Sequence, residues 1–161
     1  MKLLEIWVKA PLLRNSNLLI VSRCLKAVNP QLFKEISKEK VVLTACPEGE
    51  NVSIYGKIAS IIRSSRPKSI TVVSIDGSPH CLQLHAAVNE AVYILGERIP
   101  KEHYVVLDGE KLIRISPEAV RVARYLSLVD KLLRRNTDIL KELEKHSLEY
   151  SYAKKMKDVE L

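Results

Sequence analysis

Nowhere does this chain hold the roughly 18 consecutive apolar residues that a membrane-spanning helix needs, so no such helix is expected. Glycine is scarce, at five residues in 161, and neither a GxGxxG nor a GxxxxGK[ST] run occurs. Both glycine-rich phosphate cradles are thereby removed from the expectations, since each needs places where backbone meets ligand without a Cβ. Aromatics are sparse too, at 5%, and no Arg/Lys run is interleaved with them. With no helix-turn-helix or RNA-recognition signature either, nucleic acid is not an expected partner. Cysteine is limited to three residues with no Cys-x-x-Cys pair, which excludes a disulfide-dense scaffold and the usual paired zinc motifs.

What is present describes a globular protein: 47% apolar residues, 28% charged, and enough length for one well-cored domain. The opening MKLLEIWVKAPLLRN places charges within its apolar stretch and is expected to be part of the fold rather than a signal peptide. Three unpaired thiols then suit a reducing, cytoplasmic setting. Abundant Lys, Arg, Glu and Ile with few Gln is also a thermophile's composition, and a Cys24–Cys46 disulfide stays open on that account. The net charge of +7 is concentrated early, with eight basic and three acidic residues in positions 1–40.

Strand-like and helix-like runs alternate. NLLIV (17–21), KVVLTA (40–45), KSITVVSID (68–76) and HYVVL (103–107) are short apolar or β-branched runs bounded by turn formers. Asn29-Pro30 is a capped start for a short helix, and Ile54, Ile58, Ile61 and Ile62 give residues 52–66 helical spacing up to Pro67. Residues 79–97 form an amphipathic helix. Asp108-Gly109 signals a hairpin into KLIRIS (111–116). From Pro117 the chain is expected to be helical, with Val120, Ala123, Leu126, Leu128, Leu132 and Leu133 in one stripe and a break at Asn136-Thr137-Asp138. The expected fold is α/β: a Rossmann-like three-layer sandwich with a four- or five-stranded, mostly parallel sheet over residues 1–116, and a C-terminal helical extension over 117–161. Tyr125, Tyr150 and Tyr152 with the leucine stripe suggest a pairing surface, hence a homodimer.

All three cysteines fall where a strand-like run ends: Cys24 after the first, Cys46 after the second, and Cys81, beside His80, after the third. In parallel α/β sheets, ligands bind beyond the carboxyl ends of the strands. Cys24, Cys46, His80 and Cys81 therefore make a Cys3His set of soft ligands, suited to zinc or an iron–sulfur cluster. Asp76 would orient His80 or, with Ser78, cap the following helix, and His85 would be a spare ligand or a helix-face histidine. Asp76, Ser78 and His80 have a hydrolytic composition but stand too close in sequence for a nucleophile–base–orienter geometry.

The run from Leu18 to Val92 resembles the C-terminal α/β domain of small iron–sulfur, ferredoxin-like proteins of anaerobes and archaea. In that family one strand ends in Asp-Cys, one in Cys-Pro-Lys, and one is followed by Val-Pro-Cys-Cys. Cys24 matches the first cysteine, Cys46-Pro47 the second, and Pro79-His80-Cys81 the last motif with His in place of one Cys. Arg23 stands where the family has an acid, and the ferredoxin cysteine ladder is missing. The resemblance implies the fold, a four-ligand metal position, and a redox partner protein in electron or sulfur metabolism. Two other functions are expected alternatives. One is a thiol enzyme or sulfur carrier with Cys81 as nucleophile, His80 as activator and Cys46 or Cys24 as resolving thiol. The other is a metal-free interaction or regulatory subunit.

Overall fold

The structure is a computed structural model that describes residues 1–50 and 54–159. These fall into two compact units, Met1–Val120 and Arg121–Leu161. Among the described residues the first unit builds a five-stranded sheet in the order β2-β1-β3-β4-β5. Its strands are β1 (Asn17–Ser22), β2 (Val41–Ala45), β3 (Ser69–Ile75), β4 (Lys101–Leu107) and β5 (Lys111–Ile115). The first four run parallel, and β5 returns antiparallel on β4. The expected Rossmann-like three-layer fold is what the chain adopts.

Strands covered on both faces must be apolar on both, which is why β1 and β3 are near-continuous Leu, Ile and Val. Leu18, Ile20, Leu43, Ala45, Ile70 and Val72 face one layer, α3 (Ile54–Ser65) and α4 (Leu82–Leu95). Leu19, Val21, Val73 and Val106 face the other, where α1 (Leu25–Val28) and α2 (Pro30–Ile36) contribute Leu25, Leu32, Phe33 and Ile36. Each fully buried Leu or Ile contributes on the order of 1.5–3 kcal/mol against leaving it in water.

Local chemistry sets the ends of these elements. The Asn29 side chain accepts from the Leu32 amide at 2.9 Å and caps α2, with Pro30 in its first turn. Gly96, at φ 65°, ends α4 in the left-handed conformation that glycine tolerates. Asp108 and Gly109, at φ 52° and 77°, form the left-handed pair of a tight hairpin turn. Val52 and Ser53, where the α3 helix is expected to begin, lie outside the described residues. The opening LLEIWV becomes turns, with Lys2 bridged to Thr44 beside β2 and Leu3 buried.

The second unit departs from the expected stripe. Its helices are α6 (Leu126–Arg135), α7 (Asp138–His146) and α8 (Leu148–Val159), with α5 (Pro117–Ala123) crossing from the first unit. The break at Asn136 is as expected. The break at Tyr125, whose backbone is at φ −115° and ψ 86°, is not. It resets the helical phase, so Val120 is buried whereas Leu126 is 78% exposed, and one stripe does not run through both.

Beneath α4 lies a buried polar chain. The Ser74 hydroxyl meets His85 Nε2 at 2.8 Å, and His85 Nδ1 meets His103 Nδ1 at 3.0 Å. Two facing nitrogens at that distance share one proton. Burial, reinforced by His103, lowers the His85 pKa from 6.5 to about 4. Above pH 6.5 the ring is neutral in both folded and unfolded chain. Below it the unfolded chain takes a proton that the folded chain refuses, so stability falls as pH drops toward 4. The expected loss over that window is about 3 kcal/mol from this site. Denaturant melts at pH 7 and pH 4.5 should show it, and His85→Leu should flatten the difference. An equal pH dependence in the two proteins would refute this account of the pair.

Candidate functional site

The strand order reverses between β1 and β3: the chain leaves β1 toward β2 on one side and returns past it to β3 on the other. At such a switch point the loops part and leave a crevice beyond the carboxyl ends. The register aligns those ends closely. Ser22 pairs with Ala45 and Val21 with Val73, so the loops after β1, β2 and β3 leave the sheet at one rim. Cys24, Cys46 and the His80-Cys81 pair each stand on one of these three loops.

Named contacts tie the loops together. Cys81 Sγ lies 3.2 Å from the Ser22 hydroxyl, which joins the start of α4 to the end of β1. The Arg23 amide donates to the Ala45 carbonyl at 2.8 Å, which carries the β1–β2 ladder up to the cysteines. The Cys46 carbonyl accepts from the Gly49 amide at 3.1 Å and closes a turn. His80 Nδ1 sits 3.8 Å from a Glu48 oxygen, so the third loop leans on the second. Cys24 is exposed, Cys46 half-buried and Cys81 buried, and all three are free thiols. The Cys24–Cys46 disulfide that the composition leaves open is not formed.

Partial burial pushes the Cys24 thiol above its ordinary pKa, and Cys81 and then Cys46 push the same way against the lowering effect of amide hydrogen bonds. Among the described residues, however, no group of three or more His, Cys, Asp or Glu side chains is gathered closely enough to hold a metal ion.

Several residues take roles other than the expected ones. Asp76 accepts from the Gly77 amide at 3.1 Å, and the N-cap of α4 is Cys81 itself, with no side-chain cap bond. The expected Asp76–Ser78 cap is absent because the turn at Gly77 (φ 75°) spends the carboxylate on itself. His85 has both ring nitrogens engaged, by Ser74 and His103, so it is the helix-face histidine and not a spare ligand. Glu50 is a site residue that the sequence reading passes over. Its carboxylate takes Arg23 Nη2 at 2.6 Å and the Cys46 amide at 3.1 Å. Nothing in the polar loop PEGEN distinguishes it beforehand except its place four residues after a strand-end cysteine.

Residues 10–160 match the model of a family described as a Rossmann-like domain, and the chain belongs to that family. No curated protein and no solved structure matches it. Among the described residues no helix is long and apolar enough to cross a membrane.

The electrostatics of the rim give a direct expectation. The pH dependence of Cys24 alkylation should have its midpoint above the ordinary thiol value of about 8.5, and Cys81→Ser should lower that midpoint. A Cys24 midpoint at or below the ordinary value, unmoved by Cys81→Ser, would contradict the placement of these thiols side by side.

Proposed function

We propose that this member of the Rossmann-like domain family binds an iron–sulfur cluster at the switch-point rim, through Cys24, Cys46 and Cys81 with His80 as fourth ligand. The observation that carries the reading is the convergence of three soft ligands from three separate strand ends at the rim where open α/β sheets bind their ligands. Thiolates with an occasional imidazole are the donor set of such clusters. Zinc, which also takes Cys and His ligands, is the other metal that this donor set suits.

When bound, the cluster would supply one-electron transfer or a sulfur reservoir. The chain's own residues hold and tune the ligands. Cys46 follows β2 directly and Cys24 lies two residues past β1, so the ladder holds their backbone, while Cys81 is placed by the start of α4 and its contact with Ser22. The Ser22 hydroxyl at Cys81 Sγ offers a hydrogen bond to sulfur, one of the means by which proteins set a cluster's potential. The reading implies a reducing cytoplasmic setting and a redox partner protein in electron or sulfur metabolism. It also retains a second copy of the chain as partner, supported by the apolar side chains that α6 exposes, Leu126 and Leu132.

Purification without oxygen, followed by iron and acid-labile sulfide analysis and a visible spectrum, tests this reading. The expected protein is coloured and contains both elements, and Cys24→Ser or Cys46→Ser reduces its cluster content by about tenfold or more. Stoichiometric zinc with no colour would replace the cluster by an ion. A colourless, metal-free protein that takes up neither on reconstitution would overturn the proposal.

A further inference from the structure

The loop after β2 carries one carboxylate that is almost fully enclosed: the Glu50 side chain is 10% exposed, against 42% for its partner Arg23. A carboxylate loses much hydration on burial and is tolerated only where donors replace it. Both oxygens of Glu50 are so occupied. Oε1 takes the guanidinium of Arg23 at 2.6 Å, and Oε2 takes the backbone amide of Cys46 at 3.1 Å. Arg23 is bonded in sequence to Cys24. One side chain thus grips the residue before the first thiol and the backbone of the second, across the β1–β2 rim. Gly49 lies against the same groups: a Cβ built there would stand 3.6 Å from Cys46 Sγ and 3.9 Å from Arg23 Nη2, ordinary packing distances. The charge at position 23 also has a purpose in this arrangement: a basic residue beside Cys24 is what an acid on the facing loop requires.

We infer that Glu50 is the positioning residue of the thiol rim, setting the orientation of Cys46 and its separation from Cys24 through the Cys46 amide and the Arg23 guanidinium. It touches no ligand itself. Its two bonds have separable effects. The bond to the Cys46 amide fixes the direction in which that cysteine leaves β2. The ion pair with Arg23 fixes the loop over β1 and neutralises a positive charge next to the thiols. The inference deepens the cluster-binding reading and rests on it only for the measurement that involves iron.

Two variants separate these effects, each read by iron content and by the alkylation rate of Cys46 in the metal-free full chain. Glu50→Ala removes both bonds. It should lower iron loading by about tenfold, the usual size for an outer partner of a metal ligand, and speed Cys46 alkylation several-fold. Glu50→Gln keeps an oxygen that can accept from the Cys46 amide but discards the charge. It should restore most of the loading, while the uncompensated Arg23 raises the reduction potential of the bound cluster. A purely scaffolding glutamate would not move that potential. Should Glu50→Ala fail to fold, Arg23→Gln removes the ion pair alone and leaves the Glu50 charge uncompensated, so it should lower the potential, with Cys46 alkylation near wild type. Wild-type loading and an unchanged Cys46 rate in Glu50→Ala would overturn the inference, as would equal behaviour of the Ala and Gln variants. If wild-type protein takes up no iron, the cluster reading falls, and the Cys46 alkylation ratio still decides the role of Glu50.

Discussion

The register of three parallel strands is the constraint from which the rest of the candidate site follows. Val21 opposite Val73 and Ser22 opposite Ala45 bring β1, β2 and β3 to a common edge. Backbone ladders are stiff, so whatever the sequence places just beyond those residues is delivered to one rim without further adjustment. Thiols 22 and 35 residues apart in sequence are thereby carried on loops that leave the sheet at the same edge. A slip of one residue in either pairing would also turn every side chain of that strand to the opposite layer, at the cost of a core built from both faces. The packing that stabilises the fold and the geometry of the rim are therefore set by the same hydrogen bonds.

Polar groups buried in such a fold have to be satisfied, and the two conspicuous cases do different things. The Ser74–His85–His103 chain lies under α4 and holds that helix to the sheet in a protonation-dependent way. The Arg23–Glu50–Cys46 set lies at the rim and holds the loops that carry the thiols. Because α4 starts at Cys81 while the grip spans the first two loops, anchors of distinct chemistry act on different parts of one site. Surface ion pairs elsewhere, such as Arg134–Asp130, are exposed and contribute little by comparison.

The strands and the Asn29 and Gly109 signals were legible in the sequence because each is a local matter: β-branched runs between breakers, a capping side chain, a hairpin dipeptide. The rim position of the cysteines was legible from the same strand ends combined with the general rule for parallel sheets. Long-range partnerships were not. Nothing near His85 announces His103, since pairing two imidazoles depends on how α4 lies over β4. Glu50 sits in a loop whose composition is that of any solvated turn, and its enclosure arises from Arg23, 27 residues away. The break at Tyr125 carries no glycine or proline, so periodicity alone ran the helix through it.

Neighbouring thiols on one rim are the central claim, and a short bifunctional thiol reagent tests them most directly, because it bridges two sulfurs only where they already lie side by side. Treating the metal-free full chain with dibromobimane and mapping the peptides should recover Cys24 bridged to Cys46 or to Cys81. Recovery of all three cysteines as single-ended adducts, in protein that remains folded, would place the sulfurs apart and contradict the account.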